Sequence, residues 1–118
     1  MKEGDLSLKI IKAFNAIPWV FVLKNHGSIY SYKGRADIEG IFHGRPISIE
    51  VKLPRTPYWQ KPSWQGQLAY LLKMKELGAI AFVAQSVEEA LEHADYCHAG
   101  YVDTTNNYKL DEYGKVII

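Results

Sequence analysis

Two extended, mostly apolar runs separated by only three residues constrain the fold of this chain more than any other feature. Residues 36–42 and 46–52 have the composition of β-strands, and a His-Gly-Arg tripeptide joins them. A connection this short makes two consecutive strands an antiparallel hairpin. We therefore expect a hairpin over residues 36–52 at the centre of a sheet.

Apolar positions at three- and four-residue steps predict three helices around this hairpin. They are expected at residues 3–17, at about 68–77 and from residue 86 onward. Pro18 should end the first helix and Gly78 should cap the second, while Ser86 and Glu89 form a capping box for the third. Further extended runs occupy residues 19–23, 79–84, 108–110 and 115–118, and the last two could pair as a terminal hairpin. The expected fold class is α/β, a small mixed sheet flanked by helices.

Length and composition indicate one domain over residues 1–118. A chain of 118 residues with 47% hydrophobic content can form one core but not two. Its apolar stretches fall far below the roughly 18 residues needed to span a bilayer, and we read no secretory leader after Met1. Cys97 is the single cysteine, so no internal disulfide can form. We expect a soluble, intracellular, cytoplasmic protein without membrane association.

The formal net charge of +1 conceals an uneven distribution. Residues 24–61 contain seven basic and three acidic side chains, whereas the rest of the chain contains seven basic and ten acidic ones. Any one of these charges is adequately explained as a solvated loop residue. As a set, the central basic residues could line a face that binds phosphate.

Three charged residues of the hairpin form the candidate chemical centre. Alternation along a strand puts Glu50 and Lys52 on one face, and the preceding strand can bring Asp37 beside Glu50. Two opposed carboxylates repel each other, and a hard divalent cation such as Mg²⁺ or Mn²⁺ would remove that repulsion. The alternative is a surface ion pair between Glu50 and Lys52, worth only about 0–1 kcal/mol.

Several motifs in their order along the chain resemble a known group of nucleases. They are Gly34-Arg35-Ala36-Asp37-Ile38, Ile47-Ser48-Ile49-Glu50-Val51-Lys52, Gln67 in a helix, and Gly78 before the run at 79–84. Together they resemble the VRR-NUC branch of the PD-(D/E)XK superfamily. The resemblance covers about residues 1–92 and leaves 97–118 as an extra C-terminal segment. The family usually has proline before the first metal-binding aspartate, where this chain has Ala36.

The resemblance implies a role for each residue of the central motif. Asp37 and Glu50 would bind the metal through carboxylates, and Val51 would bind it through its backbone carbonyl. Lys52 would orient or activate water. The expected cofactor is Mg²⁺ or Mn²⁺, and the implied fold is the restriction-endonuclease-like core of that superfamily.

Two further site residues follow from the resemblance, and each has a nearby competitor. Glu3 on the first helix matches an acidic residue that approaches the metal in similar proteins, but Asp5 competes for that role and a helix dipole alone explains an acid there. Gln67 precedes Gly78 by the spacing expected of the family's helix glutamine, and Gln65 competes with it. A surface glutamine is the alternative reading.

Basic and aromatic residues around the motif are candidates for contacts with DNA. The candidates for phosphate contacts are Asn25, Lys33, Arg35, Arg55 and Lys61, although solvated loops explain them nearly as well. Tyr58, Trp59 and Trp64 could stack on unpaired bases, but a position in the core or at a dimer interface is favoured over stacking.

The expected function is a metal-dependent endonuclease that hydrolyses DNA phosphodiester bonds. Similar standalone proteins suggest a homodimer that cuts branched DNA such as four-way junctions, because two paired sites suit two symmetric strands. The standalone format suggests a phage or mobile-element origin. The alternative is a catalytically silent nucleic-acid-binding or dimerisation module with the same fold.

Overall fold

The structure, a computed structural model, describes residues 1–26, 34–104 and 108–117. Within these ranges it is a mixed α/β fold with a four-stranded mixed sheet, three helices and a separate two-stranded hairpin. The helices are α1 (Glu3–Asn15), α2 (Trp64–Glu76) and α3 (Val87–Thr104). The strands are β1 (Val20–Lys24), β2 (Ile38–Phe42), β3 (Arg45–Val51), β4 (Ile80–Ala84), β5 (Lys109–Leu110) and β6 (Val116–Ile117).

The expected central hairpin is confirmed as β2 and β3. The sheet order is β1-β2-β3-β4, in which the first three strands are antiparallel and β4 runs parallel to β3. The turn is tighter than expected, because only His43 and Gly44 lie outside the strands and Arg45 already pairs with Phe42. Both turn residues have positive φ, 49° and 83°, which matches the twist of a two-residue hairpin.

Helices cover the two faces of the sheet unequally. On one face α1 and α3 pack over a core that includes Ile38, Ile49 and Phe82. On the other face α2 packs on the β3–β4 half, where Trp64 and Leu71 contact a smaller core. The β1–β2 half of that second face is less covered: Tyr70 of α2 reaches Glu39 in β2, but Phe21, Leu23 and Ile41 stay exposed.

The terminal segments pair as expected and cover the edge of β4. β5 and β6 are antiparallel, and the Gly114 carbonyl in their turn accepts a hydrogen bond from the Val83 N–H at 2.7 Å. The Tyr108 hydroxyl accepts a hydrogen bond from the Ala81 N–H at 2.8 Å. The hairpin therefore satisfies backbone groups at the free edge of β4, which would otherwise be open to another chain.

Two features of the region around α2 differ from the sequence expectation. Helix α2 begins four residues earlier, at Trp64, and a 3₁₀ turn at Tyr58–Gln60 interrupts the proline-rich segment that was expected to be irregular. Prolines exclude an α-helix there but tolerate a single tight turn.

The capping box of α3 forms with one change of partner. The Glu89 N–H donates to Ser86 Oγ at 3.0 Å, as expected, but Glu89 Oε1 accepts from the Gln85 N–H at 2.8 Å. No helix in the described ranges is long and apolar enough to cross a membrane.

Candidate active site

The β2–β3 register brings Asp37 and Glu50 together at one end of the hairpin. The ladder ends where Ile38 pairs with Ile49, so Asp37, the residue before β2, lies next to Glu50 and Val51 at the end of β3. Asp37 Oδ2 accepts a hydrogen bond from the Val51 N–H at 2.8 Å. This bond holds the Asp37 carboxylate at the end of β3.

A close backbone approach positions the segment that leads into Asp37. Gly34 has φ of +82°, and a Cβ there would lie 2.6 Å from the Gly66 carbonyl oxygen in the first turn of α2. Only glycine allows this contact. Because α2 also contains Gln67, the approach sets the distance between the two parts of the candidate site.

Glu50 and Lys52 are buried, so the interpretation of this pair as a surface ion pair is wrong. Their exposed fractions are 2% and 7%. Lys52 Nζ lies 3.2 Å from Glu50 Oε2 and donates to Gln67 Oε1 at 2.9 Å. Gln67 is therefore the helix glutamine that reaches the site, whereas its competitor Gln65 is exposed.

One oxygen of the Glu50 carboxylate is buried without a hydrogen-bond donor. Oε2 contacts Lys52, but Oε1 has no partner among the described residues. Burial and the neighbouring Asp37 carboxylate raise the pKa of Glu50 to about 8, against the opposing effect of Lys52. An unpaired buried oxygen beside a second carboxylate is unfavourable unless a proton or a cation joins them.

The donor set at this position fits a hard divalent cation. Carboxylate oxygens of Asp37 and Glu50 are ligands that Mg²⁺ and Mn²⁺ accept, and Val51 lies directly after Glu50. No three His, Cys, Asp or Glu side chains in residues 1–26, 34–104 and 108–117 form a preformed metal cluster. Two carboxylates therefore have to be supplemented by backbone oxygen or water, which is common for Mg²⁺.

Glu3 rather than Asp5 is electrostatically coupled to residues of the candidate site. Asp5 accepts a hydrogen bond from the Lys2 N–H at 3.0 Å and so caps the start of α1. Burial raises the pKa of Glu3, with Lys52 opposing and Asp37 reinforcing the rise. The charge of Glu3 is therefore coupled to the charges of Lys52 and Asp37, while Asp5 is engaged at the start of α1.

Glu39, which shares a face with Asp37, has a structural role. Its carboxylate accepts hydrogen bonds from four side chains: Asn25, Arg35, Ser48 and Tyr70, at 2.6–2.7 Å. Burial alone would raise the pKa of Glu39, but these hydrogen bonds lower it. Asn25 and Arg35 are therefore engaged with Glu39, and their contact with DNA stays a prediction.

The other candidate DNA contacts are spread around the site. Arg55 and Lys61 are exposed, and Lys61 is close enough to lower the pKa of Glu3 in opposition to burial. Lys33 lies outside the described residues. A cavity of about 340 Å³ opens beside Gln67, and its other lining residues are Gly34, Pro62, Ser63 and Gly66.

The three aromatic residues of the loop divide between core and surface. Tyr58 and Trp64 are 3% and 1% exposed and donate hydrogen bonds to the carbonyls of Tyr113 and Glu112, so the favoured core reading is confirmed for both. Trp59 is 43% exposed. The Tyr58 ring centroid lies 5.7 Å from Lys52 Nζ, which makes this ring part of the wall around the lysine.

Lys24 lies close to the start of α1, beside Glu3, and the charge distribution of the sequence does not distinguish it from the other central basic residues. Its Nζ lies 3.5 Å from the position that a Cβ on Gly4 would take, and it opposes the rise in the pKa of Glu3. Strand alternation provides the signal that could have revealed it. Lys24 follows Val20 and Val22 on the face of β1 that packs toward α1.

Comparisons with protein-family models, with curated proteins and with solved structures gave no significant match for this chain.

Proposed function

We propose that this chain is a Mg²⁺- or Mn²⁺-dependent deoxyribonuclease with a core of the PD-(D/E)XK type, similar to the VRR-NUC branch. The proposal rests on one observation above the others. Glu50 is a buried carboxylate whose Oε1 has no hydrogen-bond donor among residues 1–26, 34–104 and 108–117, it lies beside Asp37, and a buried lysine is hydrogen-bonded to its other oxygen. Such an arrangement is costly for stability alone, and costly ionisable clusters are typical of functional sites.

The residues divide the work of phosphodiester hydrolysis among themselves. Asp37 and Glu50 would hold the cation, with the Val51 carbonyl and Glu3 as further candidates. When bound, the cation supplies Lewis-acid stabilisation of phosphate charge and makes water more acidic. Glu50 and Gln67 direct two of the three N–H donors of Lys52, which leaves one to orient water or to contact a phosphate oxygen.

The proposal extends to branched DNA and to a homodimer. Two copies related by a twofold axis would present two sites to two strands of a junction. Trp19, Phe21, Leu23 and Ile41 are exposed apolar side chains on and beside the less covered half of the sheet. An apolar surface of this kind is typical of a protein interface.

A cleavage panel tests the proposal directly. Single-stranded, duplex, flap and four-way DNA are incubated with Mg²⁺ or Mn²⁺ and with wild-type protein or Asp37→Asn. The asparagine retains an oxygen that can accept the 2.8 Å hydrogen bond from Val51 but lacks the charge. We expect the variant to fold as stably as wild type and to lose cleavage by at least about a hundredfold. The matched control is Asp95→Asn, an exposed position on α3.

The outcomes separate the nuclease from the silent module. Cleavage that persists in Asp37→Asn would reject this site, and DNA binding by the wild type without any cleavage would favour the catalytically silent alternative. Equal cutting of all four substrates would reject only the preference for branched DNA.

A further inference from the structure

The proline-rich segment and the C-terminal hairpin together form a second concave surface near Lys52. A cavity of about 210 Å³ lies between them, lined by Tyr58, Trp59, Gln85, Tyr113 and Lys115. Two of the lining residues come from the terminal segment, beyond the part of the chain that the nuclease motifs cover. The hairpin that protects the edge of β4 thus also completes this cavity.

The aromatic rings of the cavity leave surface open for a planar ligand. Trp59 meets Tyr58 at a centroid distance of 5.3 Å and Tyr113 at 5.0 Å, with interplanar angles of 80° and 68°. These are edge-to-face contacts, in which the edge of one ring covers one face of the other and the remaining faces are not stacked on a ring. Trp59 is 43% exposed and Tyr113 is 37% exposed, so both retain accessible ring surface.

The cavity is close enough to Lys52 for neighbouring nucleotides of one DNA strand to occupy the cavity and the candidate site. Lys52 Nζ is 5.7 Å from the Tyr58 centroid, and the Tyr58 centroid is 5.3 Å from that of Trp59. The Trp59 ring therefore lies no more than about 11 Å from the ammonium. At about 3.4 Å per stacked nucleotide, this distance corresponds to roughly three nucleotides or fewer.

The charges around the cavity favour a neutral ligand over a phosphate. Lys115 is paired with Glu89, so its charge is already compensated. Burial raises the pKa of Tyr58, and the Asp111 and Glu89 carboxylates add to the rise. Glu89 is compensated by Lys115 in the same way, so the Asp111 carboxylate is left to repel a phosphate, whereas the uncharged ring of a base can stack on the aromatic surface.

We infer that this cavity holds an unpaired nucleobase of the DNA substrate, stacked on the Trp59 ring with its edge toward Tyr113, within about three nucleotides of the phosphate that is cleaved. The inference rests on the proposed nuclease function and specifies its substrate. A base can enter the cavity only when it is unpaired or flipped out of the duplex. The enzyme should therefore favour DNA with an unpaired nucleotide close to the cleavage position.

Binding measurements without divalent metal test the inference independently of cleavage. A fluorescently labelled flap DNA with thymines in its unpaired strand is compared by anisotropy with the same flap carrying abasic sites. Wild type should bind the thymine flap between about fivefold and a hundredfold more tightly than the abasic flap. Trp59→Ala should bind the two flaps equally, and Trp59→Phe should largely restore the preference.

An exposed aromatic residue elsewhere in the chain provides a matched control. Tyr96→Ala matches Tyr113→Ala at a tyrosine that is 41% exposed on α3. This control should retain the preference for thymine. If Trp59→Ala fails to fold, the inference is tested by two other comparisons. They are the binding of the thymine and abasic flaps by wild type and the binding of the same flaps by Tyr113→Ala.

Cleavage of the same flaps in Mg²⁺ or Mn²⁺ separates this inference from the proposed function. A base preference in binding without any cleavage would reject the nuclease and support the cavity. Cleavage without a base preference, or a preference that Trp59→Ala leaves intact, would overturn the cavity and leave the nuclease. If wild type shows neither cleavage nor a base preference, the proposed nuclease function and the base-binding cavity are both rejected.

Discussion

At the scale of single residues, the candidate site depends on how one buried ammonium is satisfied. Removing Lys52 from water is costly, and Glu50 Oε2 and Gln67 Oε1 offset part of that cost. Gln67 comes from a different element, so it links α2 to the end of β3. Because the Gln67 side chain is uncharged, it can accept the hydrogen bond from Lys52 without attracting the metal cation as a carboxylate would.

We predict that Gln67→Ala destabilises the protein by about 1.5–3 kcal/mol and lowers the cleavage rate, because a buried charged donor loses its acceptor. Urea unfolding and single-turnover cleavage of a junction measure the two effects. Gln65→Ala, an exposed change two residues earlier, should leave both within error. Equal effects of the two substitutions would contradict a specific role for Gln67.

At the scale of elements, the site is formed where the start of β2 meets the first turn of α2. Gly34 approaches Gly66 so closely that neither backbone can move without shifting the other. Asp37 follows Gly34 by three residues, and Gln67 follows Gly66 directly. The contact between Gly34 and Gly66 therefore links the position of Asp37 to the position of Gln67.

Gly34→Ala should destabilise the fold by at least about 2 kcal/mol, since its φ is positive and its Cβ would overlap a backbone carbonyl. Gly66→Ala is the control on the other side of the same contact, where a Cβ meets nothing within 4 Å. That change should be neutral or stabilise the helix by up to about 1 kcal/mol. Urea unfolding of both variants gives the comparison, and a neutral Gly34→Ala would refute the close approach.

A second prediction at this scale concerns the C-terminal hairpin. Tyr108→Phe removes the hydroxyl that accepts the buried Ala81 N–H, so we expect a loss of about 1–3 kcal/mol in the free energy of unfolding. Tyr96→Phe, at a largely exposed position on α3, should change stability by less than about 0.5 kcal/mol. If the two variants are equally stable, the hairpin does not protect β4 as described.

At the scale of the whole molecule, apolar side chains on one half-face of the sheet are exposed in the part of the chain that the structure describes. Phe21, Leu23 and Ile41 are 60%, 57% and 46% exposed there. The neighbouring edge of β1 is less open, because the Asn15 side chain both accepts from the Val22 N–H and donates to the Val22 carbonyl. A second copy would therefore pack on the face of the sheet rather than extend it by strand addition.

If the proposed homodimer uses this half-face, Phe21→Lys combined with Ile41→Lys should produce a monomer. Two charges in an apolar interface without partners cost several kcal/mol, enough to shift a micromolar dimer beyond detection. Light scattering after gel filtration measures the mass of both proteins. Leu8→Lys, at an exposed position on α1, serves as the control and should leave the mass unchanged. A double variant that remains dimeric would locate the interface elsewhere.

Local chemistry in the sequence by itself determined the hairpin and the alignment of its charged residues. Alternation along the strands and a very short turn are properties of neighbouring residues, so they predict that Asp37, Glu50 and Lys52 share one face. The Ser86 cap and the pairing of the terminal strands follow from the same kind of local signal.

Only the tertiary structure decided which of these residues are buried and what they contact. Lys52 meets Gln67 across 15 residues of chain, and Tyr58 meets the Tyr113 carbonyl across 55. Such contacts depend on how α2 and the C-terminal hairpin pack on the sheet, and alternation along a strand carries no information about that packing. Burial then distinguished the Glu50–Lys52 pair from a surface ion pair, and it distinguished Trp59 on the surface from Trp64 in the core.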